Sequence, residues 1–196
     1  MVAVPSSSPS TACSSAGALV PIGAAEEGVR AATPEDLPAI VALVEALRGE
    51  LTPMRGGRIW AVREARSGPA DEVYGALLLD PAACVVIGTI DGVVVGFGVA
   101  TVEPLADGGK LGVVSELFVD AEARAVGVGE TMLEGLVAFC VREGCVGVDA
   151  FALPGHRAAK NFFEESGFTA RAIVMHHAFD TGDTGDSGGS GASADA

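Results

Sequence analysis

The sequence predicts an α/β (α+β) fold, in which a mixed, partly antiparallel central sheet is flanked by helices. Two β-branched segments, 83–90 and 93–102, are joined by Asp91-Gly92, a dipeptide typical of a two-residue hairpin turn. Further along the chain a strand, a long helix and another strand follow one another, and such a crossover joins parallel strands. Because the hairpin requires antiparallel neighbours and the crossover parallel ones, the sheet contains both strand directions.

The first half of the chain is predicted to contain one strand and three helices before the hairpin. A short strand at 29–32 is followed by the run Thr-Pro-Glu-Asp at 33–36, which supplies a helix N-cap, a proline at the first helical position and two acids in the first turn. Apolar residues at helical spacing continue to Gly49 and indicate an amphipathic helix. Shorter helical segments are predicted at 59–66 and 70–79.

The second half of the chain continues the alternation of strands and helices. After the hairpin, a third strand leads through a glycine-containing turn into a long helix, whose apolar stripe ends at Gly144. A strand, a helix and a final strand or hairpin follow. The predicted bounds are 111–119 for the third strand, 124–129 for the turn, 146–153 for the next strand, 157–165 for the helix and 168–179 for the final strand or hairpin.

Composition and charge limit the classes of function. The 196 residues are 49% hydrophobic with a mean hydropathy of +0.42, which is too apolar for a wholly disordered chain. Twelve Lys and Arg against 26 Asp and Glu give a net charge of −14, the wrong sign for binding nucleic acid or an anionic membrane. The acidic surface favours cationic acceptors such as amines, although acidity is also a common solubility device.

Two terminal segments differ in composition from the rest of the chain. Residues 1–28 are rich in Ser, Ala and Pro, and residues 180–196 in Gly, Asp and Ser, so both are expected to be flexible tails. A single domain, 29–179, remains between them. No apolar run reaches the roughly 18 residues of a membrane span, and the N-terminal segment lacks the features of a signal peptide, which predicts a cytoplasmic protein.

The cysteines and histidines show no disulfide or metal-binding pattern. No C-x-x-C pair occurs among the four cysteines, Cys13, Cys84, Cys140 and Cys145. The three histidines lack partners at metal-finger spacing, and the adjacent His176 and His177 would face opposite sides of a strand. We expect reduced thiols and no metal. Cys140 falls on the buried face of the long helix, which is typical of an inert thiol.

The turn before the long helix has the composition of an anion-binding site. It contains Arg124, Gly127 and Gly129. Glycine leaves room for a ligand beside the backbone, and the unpaired N–H groups of a helix's first turn attract a phosphate. The same pattern also occurs in purely structural turns between a strand and a helix. A dinucleotide-binding fold is disfavoured, since its glycine fingerprint follows the first strand rather than a mid-chain strand.

Together with a second motif, this turn resembles the GCN5-related N-acetyltransferase family. The coenzyme A motif of that family is Arg or Gln, two residues, Gly, one residue, then Gly or Ala, which Arg124, Gly127 and Gly129 match. A later family motif is N-x-x-A-x-x-F-Y-E-x-x-G-F, and the matching residues are Ala159, Phe162, Glu164, Gly167 and Phe168. The resemblance covers residues 29–179 and implies the fold of that family, a GNAT-like acyl-CoA transferase.

The resemblance also implies an activity and a site. The family transfers an acetyl group from acetyl-CoA directly to a primary amine, carried by a small molecule or a protein, and homodimers are common in it. Backbone N–H groups near Phe118 and Val119 are expected to stabilise the oxyanion. The coenzyme A site implied comprises Leu117, Phe118, Val119, Arg124, Ala125, Val126, Gly127, Val128, Gly129, Glu130, His156 and Phe163.

The chain departs from the family motifs at four positions. His156 replaces the frequent Asn, and Phe163 replaces the frequent Tyr, which in relatives is proposed to protonate the leaving thiolate. Ala125 and Val126 stand where relatives often carry a basic residue or glycine, which predicts weaker phosphate binding. Either solvent protonates the thiolate, or the chain is a non-catalytic acyl-CoA-binding or partner-binding domain.

Glu116 is the candidate general base. Strand alternation places it on the face shared with Val114 and Phe118, within an apolar element. A carboxylate there is costly unless it has a partner, and a base that takes the proton of the amine accelerates transfer by about 10² to 10⁴. The alternative is a structural ion pair with an arginine, for which the candidates are Arg55, Arg58 and Arg63. Glu103, at a strand end, is the weaker candidate base.

Two aromatic residues stand in the segment between the first helix and the hairpin. Trp60 and Tyr74 are either part of an acceptor pocket or, as is commoner for large aromatic side chains, part of the core. The sequence leaves both alternatives open.

Overall fold

The computed structural model describes residues 27–124 and 126–179. The strands are β1 Glu27–Ala31, β2 Ala83–Ile90, β3 Val93–Pro104, β4 Lys110–Val119 and β5 Val148–Ala150. They form one sheet in the order β1-β2-β3-β4-β5. The first three pairings are antiparallel, and β4 pairs with β5 in parallel, so the predicted mixed sheet is confirmed.

The helices cover both faces of this sheet. They are α1 Leu37–Leu51, α2 Gly57–Arg63, α3 Ala70–Leu77, α4 Val128–Arg142 and α5 Arg157–Glu165. Core residues of α1, α2 and α3 pack with Val85 and Ile87 of β2, whereas those of α4 pack with Val86. Since neighbouring residues of a strand point to opposite faces, the first three helices cover one face and α4 the other.

The start of α1 follows the predicted capping pattern. A 3₁₀ turn at Pro34–Asp36 leads into the helix. The buried carboxylate of Asp36 accepts hydrogen bonds from both terminal nitrogens of Arg30, at 2.7 and 2.8 Å, and from the backbone N–H of Thr33 at 2.8 Å. The Arg30 guanidinium holds the pKa of Asp36 well below its usual range. This ion pair ties β1 to the first helix.

Two glycines let α4 approach the sheet closely. A Cβ added at Gly88 of β2 would lie 2.3 Å from Val128 Cγ1, and one added at Gly112 of β4 would lie 2.4 Å from Cys140 Sγ. Both distances are impossible for real side chains, so these positions require glycine. The two close approaches hold both the start and the end of α4 against the sheet.

Several predicted bounds agree with the structure to within a few residues. The hairpin turn at Asp91-Gly92 has positive φ at both residues, 51° and 78°, as the commonest two-residue hairpin requires. Glu27 and Gly28 belong to β1, so the folded part begins before residue 29. The other residues of the two predicted tails lie outside the described residues. β5 is shorter than predicted and spans three residues.

The predicted final strand or hairpin at 168–179 is wrong. Residues 168–179 form no strand, and Ile173 and Met175 are 82% and 87% exposed. The segment contacts the sheet through an ion pair between Arg171 and Asp149 of β5. Apolar residues alone did not make a strand here, because β5 offers only three residues as a partner.

In the part of the chain that the structure describes, none of the helices has both the length and the apolar character needed to cross a membrane.

Candidate active site

A cleft opens where β4 and β5 separate. The parallel ladder pairs Gly112 with Val148, and it ends where Val114 pairs with Ala150. β4 continues to Val119, so residues 115–119 run on beyond the ladder with β5. A strand edge without a neighbour presents backbone N–H and C=O groups that a ligand can bind. The cleft is lined by 114–119, by the start of α4, by 151–153 and by α5 on one side, and by Leu47, Glu50, Leu51 and Trp60 on the other.

A β-bulge directs Glu116 toward the first three helices. Val99 pairs with Glu116 and the next residue, Ala100, pairs with Val114, so Ser115 is an extra residue in β4. Val114 therefore packs with α4, whereas Phe118 packs with the opposite cluster. The prediction that Glu116 shares a face with both Val114 and Phe118 is wrong for Val114, because simple alternation takes no account of the extra residue.

The Glu116 carboxylate is buried, with 7% of the residue exposed, and three donors hold it. Arg66 Nε lies 3.2 Å from Oε1 and 3.3 Å from Oε2, the Tyr74 hydroxyl donates to Oε1 at 3.2 Å, and the Ser115 hydroxyl donates to Oε2 at 2.5 Å. Glu116 thus does pair with an arginine, but with Arg66 rather than with any of the three that we expected. Arg66 lies 50 residues away in the chain, so no local pattern predicts the contact.

Tyr74 belongs to the core and reaches the site through its hydroxyl. Its ring packs edge-on against Phe97, with centroids 5.9 Å apart. Burial, and next the neighbouring Glu116 carboxylate, raise the pKa of Tyr74, so the phenol stays protonated and donates its hydrogen bond. Trp60 is nearly buried but does line the cleft. Glu103, the weaker candidate base, is exposed. It lies opposite Leu111 in the ladder of β3 and β4, near the other end of β4.

The segment 124–129 leads into α4, which begins at Val128, and is called the cradle below. Gly127 caps α4 with a left-handed φ of +95°. The first N–H groups of α4 have no partner within the helix, and they carry its positive dipole end. At Gly129 an added Cβ would meet the Phe162 ring at 3.6 Å, so the helix start lies close to α5. The predicted contact at Ala125 lies outside the described residues.

Arg124 reaches from the cradle across the cleft to α1. Its Nε donates to Val119 O at 2.9 Å, and its Nη2 lies 2.5 Å from Glu50 Oε2. The guanidinium also lies over the Phe118 ring, 5.5 Å from the centroid. His156, at the start of α5, has its Nε2 3.8 Å from Glu50 Oε1. Glu50 was not predicted as a site residue. It lies 74 residues before Arg124, on a helix whose sequence pattern indicates only an apolar face.

The structure brings most of the predicted site residues together. Besides Glu116, the predicted residues that line the cleft are Leu117, Phe118, Val119, Arg124, Val128, Gly129, Glu130, His156 and Phe163. Val126 and Gly127 lie in the adjoining cradle rather than in the lining.

The described residues include three cysteines, one of which is on the buried face of α4. Burial raises the pKa of the Cys140 thiol to about 11, so it is protonated at neutral pH. Cys84, Cys140 and Cys145 are free thiols. Between residues 27 and 179, Ala125 aside, no group of three His, Cys, Asp or Glu side chains is arranged to hold a metal ion.

Comparison with solved structures finds the same fold in several acetyltransferases. A putative acetyltransferase from Agrobacterium tumefaciens superposes with a TM-score of 0.60 at 20% identity, covering 78% of this chain and 99% of that one. Glucosamine-6-phosphate N-acetyltransferase from Arabidopsis thaliana gives a TM-score of 0.59 at 19% identity, covering 79% and 99%. AAC(6')-Iy, bound to the bisubstrate analogue CoA-S-monomethyl-acetylneamine, gives 0.61 at 18% identity, covering 79% and 98%.

Sequence comparison identifies the family. At such low identities the solved structures show the fold alone, and the curated protein sequences give no match. The sequence model of the acetyltransferase (GNAT) family, however, matches residues 44–168, which is more than half of the chain and includes the cradle and the end of β4. The chain therefore belongs to the acetyltransferase (GNAT) family.

Proposed function

We propose that the protein is an acyl-CoA-dependent N-acyltransferase, which transfers an acetyl group from acetyl-CoA directly to a primary amine. The observation that carries this proposal is one cleft with an anion-binding helix start at one side and a buried carboxylate, Glu116, beside it. Family membership supports acetyl-CoA as the donor. AAC(6')-Iy is bound to an analogue that joins coenzyme A to an amine, which favours a similar reaction here.

Coenzyme A would be held by backbone groups more than by side chains. The N–H groups at the start of α4 suit the pyrophosphate, because they are unpaired within the helix and lie at its positive end. Gly129 adds no side chain to the first turn of α4, and Arg124 is the nearest cation in the cradle. The unpaired edge at 115–119 can bind the amide groups of the pantetheine arm in the manner of an added strand.

The proposed reaction requires this chain to accept a proton from the amine and to stabilise the negative charge that forms on the carbonyl oxygen. The amine must lose a proton to attack the thioester, and Glu116 is the carboxylate of the cleft that is buried beside the unpaired edge. Backbone N–H groups near Phe118 and Val119 would stabilise the negative oxygen that forms on the carbonyl. When the carbon–sulfur bond breaks, the thiolate takes its proton from solvent, since Phe163 has no hydroxyl.

A second candidate function is a non-catalytic acyl-CoA-binding or partner-binding domain. Phe163 favours it, because it has no hydroxyl to protonate a thiolate, as does the ion pair between Glu116 and Arg66, since such a pair is also typical of a structural carboxylate. The three free thiols of the described residues agree with a cytosolic location for either function. A homodimer is a further proposal, and sedimentation of the purified chain would test it.

One experiment separates the two functions. The purified chain is incubated with acetyl-CoA and a panel of primary amines, and free thiol is measured, while calorimetry measures acetyl-CoA binding in parallel. Amine-dependent thiol release supports the transferase. Binding of acetyl-CoA without thiol release for every amine supports the non-catalytic domain instead.

A further inference from the structure

Glu50 is a carboxylate of the cleft to which the proposed reaction gives no role. It stands near the end of α1, with 25% of its side chain exposed, and it lines the cleft together with Leu47, Leu51 and Trp60. Its two partners come from the opposite wall, Arg124 Nη2 at 2.5 Å and His156 Nε2 at 3.8 Å. Both partners belong to the residues assigned to coenzyme A. Helix α1 thus places the Glu50 carboxylate beside two basic side chains, Arg124 and His156, that are assigned to coenzyme A.

A bound phosphate would compete with Glu50 for Arg124. Guanidinium binds phosphate through two parallel hydrogen bonds, and a pyrophosphate carries more negative charge than one carboxylate. Arg124 uses Nε for Val119 O and Nη2 for Glu50, so a phosphate bound to its other N–H groups would lie beside the Glu50 carboxylate, and the two anions would repel each other. When coenzyme A takes this guanidinium, Glu50 is left partly buried in the cleft without its closest cation. An unpaired carboxylate in such a place attracts another cation.

The acceptor is the molecule that can supply this cation. Its reacting nitrogen must be neutral, so a charge that binds Glu50 belongs to a second amino group of the same molecule. Glu116 is not free for that group, because Arg66, Tyr74 and Ser115 already donate to it and its remaining lone pair takes the proton of the reacting nitrogen. The wall around Glu50 is apolar, which suits methylene groups and leaves sugar hydroxyls without partners.

We propose that Glu50 binds a protonated second amino group of the acceptor, that the acceptor is a diamine or polyamine, and that coenzyme A frees Glu50 by binding Arg124. This inference rests on the proposed transferase function. It assigns the two carboxylates different tasks: Glu116 takes the proton and Glu50 holds the charge. It also predicts an order of binding, in which the acceptor follows acetyl-CoA.

The test compares 1,4-diaminobutane with n-pentylamine, an amine of the same chain length in which a methyl group replaces the second amino group. The wild-type chain should use the diamine with a kcat/KM about tenfold higher or more, the usual value of one charge-assisted hydrogen bond. In Glu50→Gln this preference should disappear, while acetyl-CoA should bind several-fold more tightly, because its competitor for Arg124 is gone. The two effects have opposite signs, so general damage to the site cannot imitate them.

Two further variants serve as controls. Glu45→Gln changes an exposed residue of the same helix that is paired with Arg48 at 3.5 Å, and it should alter neither the amine preference nor acetyl-CoA binding. Glu50→Asp keeps the charge and should keep at least part of the preference for the diamine. If Glu50→Gln does not fold, Glu50→Ala, which also removes the charge, replaces it as the test variant.

The outcomes distinguish this inference from the function on which it rests. An equal preference for diamine and monoamine in the wild-type chain, or an unchanged preference in a folded Glu50→Gln, overturns the inference and leaves the transferase intact. Calorimetric binding of the diamine that is equally tight with and without coenzyme A overturns the proposed order. Absence of thiol release with every amine, despite acetyl-CoA binding, overturns the proposed function itself.

Discussion

At the scale of single residues, the hydrogen bonds of Glu116 decide how it could act as a base. A carboxylate has about four lone-pair positions, and Arg66, Tyr74 and Ser115 occupy three of them. At least one position remains for the proton of an amine. The same three donors fix the side chain in one orientation, which a general base requires.

We expect Glu116→Gln to lower turnover at pH 7 by about 10² or more, because the amide cannot accept the proton. Acetyl-CoA affinity should stay nearly constant, since the shape of the side chain is kept. The amide NH₂ would face donors, so a loss of about 1–3 kcal/mol in stability is expected as well, and the assays must be run below the melting temperature. Steady-state kinetics and calorimetry give the two values.

Glu103→Gln is the matched control for this change, because Glu103 is an exposed carboxylate on the adjacent strand and lies outside the cleft. It should leave both values unchanged. If Glu116→Gln raises only the KM of the amine, Glu116 contributes to binding the acceptor and does not take its proton. If it alters neither value in a folded protein, the ion pair with Arg66 is structural.

We expect Phe163→Tyr to fold normally and to raise turnover. Phe163 lines the cleft and packs against Phe162 and Phe168, with ring centroids 5.4 Å away in each case, so a tyrosine keeps these contacts. The added hydroxyl stands where relatives carry the phenol and would supply the proton that the native chain takes from water. Kinetics with a good amine acceptor measure the effect. A variant no faster than an active wild-type chain would show that thiolate protonation does not limit the rate.

A site residue could be predicted from the sequence when its signal lies in neighbouring residues, and could not when it depends on tertiary contacts. The motif spacing was enough to find Arg124, and strand composition was enough to find Glu116. The partners Arg66 and Glu50 are set by tertiary packing across 50 and 74 residues, which no periodicity encodes. Their discovery therefore needed the three-dimensional structure.

At the scale of elements, the two glycines of the cradle differ as targets for mutation. Gly127 has a φ of +95°, a left-handed conformation that strains any other residue, so its substitution would reduce stability and binding together. Gly129 has no such φ, and an added Cβ would make ordinary contacts of 3.6 Å with Phe162 and 3.7 Å with Val119. Gly129 is therefore the position at which ligand binding can be tested without disturbing the fold.

We expect Gly129→Asp to weaken acetyl-CoA binding by about tenfold, because its carboxylate stands in the first turn of α4 and repels a phosphate there. Stability should change little, since an acidic residue is favoured in the first turn of a helix. Gly129→Ala is the control, because the family motif allows alanine here and the added methyl group makes only ordinary contacts with Phe162 and Val119. Equal acetyl-CoA affinity in the two variants would move the phosphate site elsewhere.

Element boundaries were predicted correctly where they depend on residues close together in the sequence. They were predicted incorrectly where they depend on pairing between strands. The hairpin turn and the start of α1 follow from residues within a few positions of one another. The extra residue at Ser115 was invisible, because a bulge leaves composition unchanged while reversing the face of every later residue in β4. The failed strand at 168–179 shows the same limit, because strand formation depends on an available neighbour.

At the scale of the whole molecule, the ladder pairs and both hydrophobic clusters lie within 27–168. The family match likewise ends at residue 168. The segment 169–179 lies outside both clusters, and its contact with β5 is the partly exposed ion pair of Arg171 with Asp149. An ion pair of that kind contributes about 0–1 kcal/mol. The fold and the cleft should therefore depend little on the segment 169–179.

We expect a chain of residues 27–179 and a shorter one of residues 27–168 to bind acetyl-CoA with the affinity of the full chain. Their melting temperatures should differ by no more than about 2–4 °C, the shift that corresponds to about 1 kcal/mol in a domain of about 150 residues. Thermal melts and calorimetry make both comparisons, and sedimentation of each chain adds its oligomeric state. A larger loss of stability in the shorter chain alone, together with a change in oligomeric state, would show that the exposed apolar residues of 169–179 pack against a second copy.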